Sequence, residues 1–407
     1  MRIAMASSYN PFEPGGVQTQ IAQLKRQLEA RGHEVTVFAL INHLRSGKLQ
    51  RSRIRTSQWP DLKLLLNGSV FNMNLDLVAG MRLLKEIDPA DYDVMHIQEP
   101  LLPFFSLCAT LYTPLPTVVT WHSYVEEASF LKTFFGNFWI TGCRLALLPI
   151  NPYYQRLMRQ NLQVRTAVSP SAAKVGERFL PGHEKFRIIP NGIEVEQGER
   201  DYPRPAVMSD DKFNLLFVGR IGDQRKGLAV LLRAYSLIRD AHPNLRLIVA
   251  GPGEMNRRCL KIWSECGLED VVFTGRLPRD DLMALYKHAD AFCAPNVGGE
   301  SFGVVLAEAI ASQTPLIATE LQGFRNVIGD DDAIFVKPGD VEGLARAIVA
   351  AMEDPERLKR ITASASRNIG KLSWSSVADQ ILQAYTDAIE AYQHTDKHKL
   401  TAGEGAL

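Results

Sequence analysis

The sequence predicts an α/β protein made of two successive doubly wound units. Three observations carry this. The chain has 407 residues, enough for two or three domains with real cores. Short apolar runs alternate with helical patterns, as in parallel sheets covered by helices. The alternation also restarts after a polar, irregular stretch at 191–211 that holds Pro203 and Pro205.

In the first unit, Ile3 to Ala6 reads as a strand and Pro14-Gly15-Gly16 as a tight loop. Gln18 to Arg31 is helical, with Ile21, Leu24 and Leu28 on one face, and Gly32 stops it. His33–Leu40, Asp93–Ile97, Thr117–Trp121, Thr166–Ser169 and Arg187–Pro190 are further strands. The uncharged stretch Pro100–Trp121 reaches membrane-spanning length, but Pro103, Pro114 and Pro116 interrupt it. It reads as a buried helix, Leu102–Leu111, followed by a strand. The start has no signal-peptide core.

In the second unit the predicted strands are Phe213–Gly219, Leu245–Gly251, Val271–Gly275, Ala291–Ala294, Pro315–Thr319 and Ala333–Val336. The helices between them are Gly227–Ala241, Glu254–Cys266, Asp280–His288, Val304–Ser312 and Val341–Glu353. The expected domains are 1–195 and 196–374, with a late helix at about 375–392 returning to the first domain. Residues 393–407 lack a core pattern and are expected to form a disordered tail.

Composition removes several functions. With 46% hydrophobic and 22% charged residues the chain is an ordinary globular one. A net charge of +1 argues against a nucleic-acid binder. Five cysteines without C-x-x-C spacing exclude a disulfide scaffold and a standard zinc site, and fit the cytoplasm. The small total hides an asymmetry: residues 1–190 carry +7 and residues 191–407 carry −6. Arg45, Lys48, Arg51, Arg53 and Arg55 have no acidic neighbour between Glu34 and Asp61. They read as a solvated basic loop or as a patch for an anionic membrane surface or substrate. Phe130, Phe134, Phe135, Phe138 and Trp139 form a packed helix or a shallow membrane-facing segment.

The strongest chemical signal is Gly298-Gly299-Glu300-Ser301-Phe302-Gly303-Val304, with Glu308 eight residues beyond Glu300. Glycines let the backbone approach a ligand, and free N–H groups at a helix start suit phosphate. Glu300 precedes the helix, at the sugar end of a bound nucleotide. Glu308 lies about a turn inside, placed for ribose hydroxyls. Arg220 ends a strand and Lys226 precedes a helix, at the sheet edge where α/β proteins bind ligands. Two cations there can stabilise a departing diphosphate without a metal. No D-x-D pair and no His/Cys set has metal spacing. Gly15 and Gly16 follow the first strand but do not spell a dinucleotide fingerprint. His122 follows Thr117–Trp121 at a carboxyl edge; His96 and Asp93, within a strand, read as structural.

These residues resemble the Glu-x7-Glu motif of retaining family 4 glycosyltransferases, whose GT-B architecture sets two Rossmann-like doubly wound domains across a cleft. The likeness covers most of the chain. Pro14-Gly15-Gly16-Val17, Ile189-Pro190-Asn191-Gly192-Ile193, and Val218-Gly219-Arg220 with Arg225-Lys226-Gly227 are similar to the family's glycine loop, interdomain strand end and diphosphate clamp. The phosphatidylinositol mannosyltransferase branch also resembles Asn67-Gly68-Ser69-Val70 and Ala294-Pro295-Asn296.

The resemblance implies transfer of a hexose, mannose or glucose, from a nucleoside diphosphate sugar to an acceptor hydroxyl. The donor is a substrate, and neither cofactor nor metal is expected. His122, Glu300, Arg220 and Lys226 become the expected catalytic residues. Gly15, Gly16, Gly251, Leu277, Ser301, Phe302, Gly303, Val304 and Glu308 join Arg220, Lys226 and Glu300 as expected donor contacts. Tyr9, Gln18, Asn67, Ser69 and His122 are expected near the acceptor. A membrane lipid or glycolipid is the favoured acceptor, with peripheral binding to the inner face of the membrane. Phe71 and Asn72 stand where the phosphatidylinositol enzymes carry a basic residue near the acceptor phosphate, which argues against inositol phospholipid. A soluble sugar acceptor remains open. So do a GT-B-like sugar-nucleotide epimerase, which should lack the Gly-Gly-Glu-Ser-Phe-Gly run, and a non-catalytic nucleotide-sugar-binding protein.

Overall fold

A computed structural model describes residues 1–9, 15–42, 52–57, 62–66, 69–73, 77–100, 105–122, 156, 158, 161–179, 185–195, 201–208 and 211–403. Its contacts divide the chain into two units. One comprises Met1–Gly192 with Trp374–Leu407, the other Ile193–Ser373.

The first unit opens with β1 (Arg2–Ser7), α1 (Gly16–Ala30), β2 (Glu34–Asn42), β3 (Ser52–Ser57), β4 (Leu62–Leu66), β5 (Ser69–Met73) and α2 (Leu77–Lys85). It continues with β6 (Val94–Gln98), α3 (Phe105–Tyr112), β7 (Thr117–Trp121), β8 (Val164–Ala167), α4 (Pro170–Phe179) and β9 (Arg187–Ile188). Seven strands form a parallel sheet in the order β3-β2-β1-β6-β7-β8-β9, and β4 and β5 make a separate antiparallel hairpin. Strands β1, β6, β7 and β8 are buried on both faces and rich in apolar residues, with buried polar side chains such as His96, Gln98, Thr120 and Thr166 among them. Side chains alternate between two cores. Ala4, Ala6, Met95, Ile97, Val119 and Trp121 pack with Leu83, Phe105 and Ala172, while Ile3, Met5, Val94, Val118 and Val164 meet Ile21, Leu24 and Leu28 of α1.

The second unit runs β10 (Phe213–Val218), α5 (Leu228–Ile238), β11 (Leu245–Ala250), α6 (Arg257–Glu265), β12 (Val272–Gly275), α7 (Arg279–His288) and β13 (Ala291–Ala294). Then come α8 (Val304–Ala311), β14 (Leu316–Thr319), α9 (Gln322–Arg325), β15 (Ile334–Val336), α10 (Val341–Glu353) and α11 (Pro355–Ser366). Its six parallel strands are ordered β12-β11-β10-β13-β14-β15. Leu215, Phe217, Leu247, Val249 and Cys293 bury one face against Leu231, Tyr235, Ile262 and Ile348. Leu216, Ile248, Phe292 and Ala318 bury the other against Tyr286, Leu306, Ile310 and Phe324. Each such fully buried side chain contributes about 1.5–3 kcal/mol.

The last helix, α12 (Trp374–Gly403), belongs to the first unit. Trp374, Val377, Ile381, Ala384, Tyr385 and Ala388 complete the core that α1 begins. Two sequence expectations are corrected. The helix does not stop at 392 but runs on to Gly403. Residues 393–402 hold no proline or glycine, and helix propagation needs only helix-compatible residues, not an apolar face. The basic run is not wholly a loop either, because Arg53 and Arg55 lie on β3, at the sheet edge. Charged residues suit an edge strand, which must not pair further. Arg45, Lys48, Arg51 and the aromatic segment 130–139 lie outside the described residues. Among the described residues no helix is long and apolar enough to cross a membrane.

Candidate active site

In an open parallel sheet, ligands bind beyond the strand carboxyl ends where the winding direction reverses. In the second unit that point lies between β10 and β13, with β11 and β12 on one side and β14 and β15 on the other. The segments leaving these two strands carry Arg220, Lys226 and Glu300.

After β10 the chain makes a single 3-10 turn, Gln224–Lys226, capped by Asp223, whose carboxylate accepts the Arg225 N–H. That carboxylate also takes two bonds from the Arg225 guanidinium, which donates at 2.8 Å to the Gly299 carbonyl. The 3-10 turn is thereby tied to the loop that presents Glu300. The next residue, Gly227, has φ +73, and a Cβ there would lie 1.9 Å from the Pro295 carbonyl oxygen. Only glycine lets the chain turn into α5 this close to the end of β13.

Lys226 Nζ lies 2.7 Å from Glu300 Oε2, and Asn296 Nδ2 donates to the same oxygen at 3.0 Å. Asn296 is itself buried, and the Thr319 hydroxyl donates to its carbonyl. Burial pushes the Glu300 carboxyl up. The Lys226 ammonium, Arg225 and the Gly303 N–H outweigh it and hold the carboxyl below the usual carboxylate range. Glu300 is therefore ionised at neutral pH. Arg220 is exposed, and its guanidinium makes no ion pair among the described residues. Gly303, at φ +88, starts α8 over the buried Phe302, leaving first-turn N–H groups of that helix without intrahelical acceptors.

One turn along α8, Glu308 is already engaged. Arg279 at the start of α7 pairs with one carboxylate oxygen, and Tyr286 donates to the other at 3.3 Å. Burial and then Glu308 raise the Tyr286 pKa far above normal, so the phenol stays protonated. Arg279 also approaches Glu194 at 4.0 Å. Leu277, before α7, is half-buried and packs on the sheet core. Gly251 follows β11 at φ +143, where a Cβ would fall 1.9 Å from the Gly219 carbonyl oxygen. The close approach of two strand-end loops thus accounts for this glycine.

In the first unit the winding reverses between β1 and β6. Ser7, Ser8 and Tyr9 leave β1, Gln98 and Glu99 end β6, and His122 follows β7. His122 is buried, and its Nε2 lies 2.7 Å from Gln98 Oε1. Its backbone N–H donates at 3.0 Å to Glu99, a buried residue held at φ +53 directly before Pro100. That backbone conformation is unfavourable for a residue preceding proline, and such strain gathers at functional sites. Burial lowers the His122 pKa to about 4. Gly15 caps α1 and Gly16 begins it, and among the described residues a Cβ on Gly16 would meet nothing within 4 Å. Gln18 is half-buried on the first turn of α1, and Tyr9 is buried. Asn67 lies outside the described residues, and Ser69 begins β5.

Known proteins match this arrangement. The glycosyl transferases group 1 model matches residues 199–368, and the glycosyltransferase family 4 model residues 14–197. Phosphatidyl-myo-inositol mannosyltransferase of Mycolicibacterium smegmatis is 31% identical over 386 residues, covering 95% of this chain and 93% of that one. Its Mycobacterium leprae counterpart is 30% identical over 393 residues, covering 95% and 96%. The chain belongs to glycosyltransferase family 4.

Solved structures give this glycosyltransferase its GT-B fold class. HepE of Anabaena, solved with UDP and glucose, superposes with a TM-score of 0.70 at 17% identity, covering 94% of this chain and 99% of that one. WaaG, a glycosyltransferase involved in lipopolysaccharide biosynthesis, gives 0.65 at 19%, covering 93% and 98%. Within the second unit of the glycosyltransferase, Lys226 and Glu300 come together, whereas Glu308 faces Arg279 and Tyr286. Sequence reasoning missed the bonds made by Asn296, Gln98, Glu99 and Arg279. Asn296 had a signal in its likeness to the mannosyltransferases, whereas the other three pairings depend on which strands become neighbours. Among the described residues no group of three His, Cys, Asp or Glu could hold a metal ion.

Proposed function

We propose that this hexosyltransferase moves a hexose from a nucleoside diphosphate sugar to a hydroxyl of a membrane lipid or glycolipid, with retention and without a metal. The ionised Lys226–Glu300 pair at the switch point of the second unit carries this reading. As the bond from the sugar to the diphosphate breaks, negative charge grows on the leaving phosphate. Lys226 and the unpaired Arg220 supply two cations there, and the first turn of α8 supplies N–H groups. Glu300, held through one oxygen by Lys226 and Asn296, keeps a carboxylate for the sugar hydroxyls. Glu308 offers its acceptors to a ribose, which shares them with Arg279. Front-face retention has the leaving phosphate take the proton of the acceptor hydroxyl, so no protein base is required.

The names of the phosphatidyl-myo-inositol mannosyltransferase relatives support a lipid acceptor and mannose. A soluble acceptor is the second reading, supported by a 26% identical relative named glycogen synthase and by a fold neighbour named sucrose-phosphate synthase. A panel of GDP- and UDP-hexoses, screened by thermal stabilisation and then by transfer to lipid extracts or soluble sugars in excess EDTA, separates them. The proposal expects EDTA-resistant transfer to lipid. Complete inactivation reversed by Mg²⁺ would overturn the metal-free mechanism, and transfer only to soluble sugars would overturn the lipid acceptor.

A further inference from the structure

The face of the first sheet that α12 covers carries a continuous run of buried polar side chains: His96 and Gln98 on β6, Thr120 on β7 with His122 just after it, and Thr166 on β8. All five are buried. Buried polar groups in a parallel sheet are costly unless each hydrogen has an acceptor, so the hydrogens can be followed one by one. Thr166 Oγ1 donates to the Val119 carbonyl at 3.0 Å, which uses its single hydrogen. The Thr120 hydroxyl, 2.7 Å away, must therefore donate to Thr166. Thr120 in turn must accept from His96 Nε2, also at 2.7 Å. A neutral His96 protonated on Nε2 leaves Nδ1 bare, and it takes the Tyr385 O–H from α12 at 2.7 Å. Burial, reinforced by His122, lowers the His96 pKa to about 3, in keeping with a neutral ring.

The Gln98 carboxamide lies between the two imidazoles. Its NH₂ lies 3.1 and 3.3 Å from the two His96 ring nitrogens, and its oxygen 2.7 Å from His122 Nε2. With the oxygen toward His122, Nε2 of that ring must carry the hydrogen. Its Nδ1 has no partner among the described residues.

We propose that Gln98 is a positioning residue that fixes His122 as the Nε2–H tautomer and presents Nδ1 as a neutral acceptor for a substrate hydroxyl. This role rests on the reading of His122 as a transfer-site residue. A neutral acceptor suits a sugar or acceptor hydroxyl and does not suit a phosphate, which would favour an imidazolium.

The test uses the full chain labelled with ¹⁵N-histidine, His122→Gln assigning the signal. Two-bond ¹H–¹⁵N correlations at pH 7 should show wild-type His122 neutral and protonated on Nε2. Gln98→Met should lose that single tautomer and lower kcat by at least about tenfold with little change in donor KM. The near-isosteric Gln98→Glu should make His122 an imidazolium at pH 7 and move the acid limb of kcat to higher pH. An Nδ1–H tautomer in the wild type overturns the proposal, as does a Gln98→Met protein with unchanged kcat. If wild type transfers no hexose from any donor, the proposed function falls, while the tautomer spectrum still decides the hydrogen-bond direction.

Discussion

The two switch points differ in one respect that matters. In the second unit the segments after β10 and β13 bring charges together: Arg220, Lys226 and Glu300, with Arg279 on Glu308 nearby. In the first unit the corresponding place after β1, β6 and β7 is buried, with the neutral His96 and His122 beside the buried Glu99, which accepts the His122 N–H. One topology thus supports two electrostatic environments. A departing diphosphate needs fixed charge and N–H groups, whereas a hydroxyl needs an oriented acceptor in a dry setting.

The sharpest way to break this contrast is at the charged end. Glu300→Gln and Lys226→Ala should each lower kcat by about 10²–10³, equivalent to about 2.7–4 kcal/mol of lost transition-state stabilisation. Lys226→Ala also leaves the Glu300 carboxylate buried without its cation. Steady-state transfer assays on folded, purified variants check this, and near-normal rates in either would remove the pair from the site.

The histidine end should show itself in stability. Unfolded histidine binds a proton near pH 6.5, whereas His122 and His96 resist until about pH 4 and about pH 3. Between those limits the unfolded chain holds more protons than the native one, so stability falls as pH drops from about 6.5 toward 3. The pair is neutral in both states above that window and contributes no slope there. Thermal melts from pH 8 to pH 4 should show the decline, and His96→Asn should flatten it. An unchanged slope in that variant would mean His96 is not the buried neutral group.

The smallest expected effect concerns the charge imbalance of the whole chain, +7 in residues 1–190 against −6 beyond. Each basic residue near an anionic surface is worth about 1 kcal/mol at low salt. Anionic vesicles should co-sediment the protein at low salt and release it at high salt. Replacing Arg45, Lys48, Arg51, Arg53 and Arg55 by Gln should abolish binding. Wild type that ignores anionic vesicles at low salt would assign the basic run to a soluble anionic acceptor instead.

Much of this was legible from local signals. Alternating short apolar runs predicted both sheets, because parallel strands buried on two faces are rich in apolar residues. Gly299-Glu300-Ser301-Phe302-Gly303 stood out because glycines flank a carboxylate just before a helix; both glycines take positive φ, +66 and +88. The pairings were not legible. Gln98 meets His122 across 24 residues of chain and His96 meets Tyr385 across 289, and only the strand order brings them together. The β4–β5 hairpin escaped because Leu62–Leu66 and Ser69–Met73 show little alternation. The end of α12 escaped because polar helix looks like polar coil when only hydrophobic period is read.

The first unit is assembled from both ends of the chain, and this bears on its synthesis. Ile3, Met5, Val94, Val118 and Val164 are made early, but the side chains of α12 that cover them start at Trp374. The second unit, Ile193–Ser373, is contiguous and holds everything its sheet needs. On a ribosome it can close while the layer that α1 begins on the first sheet still lacks its α12 part. Throughout that interval His96 waits for the Tyr385 hydroxyl, and an apolar face stays open to chaperones or to aggregation. A chain cut short before Trp374 would keep every residue of the charged site and leave the first unit without its cover.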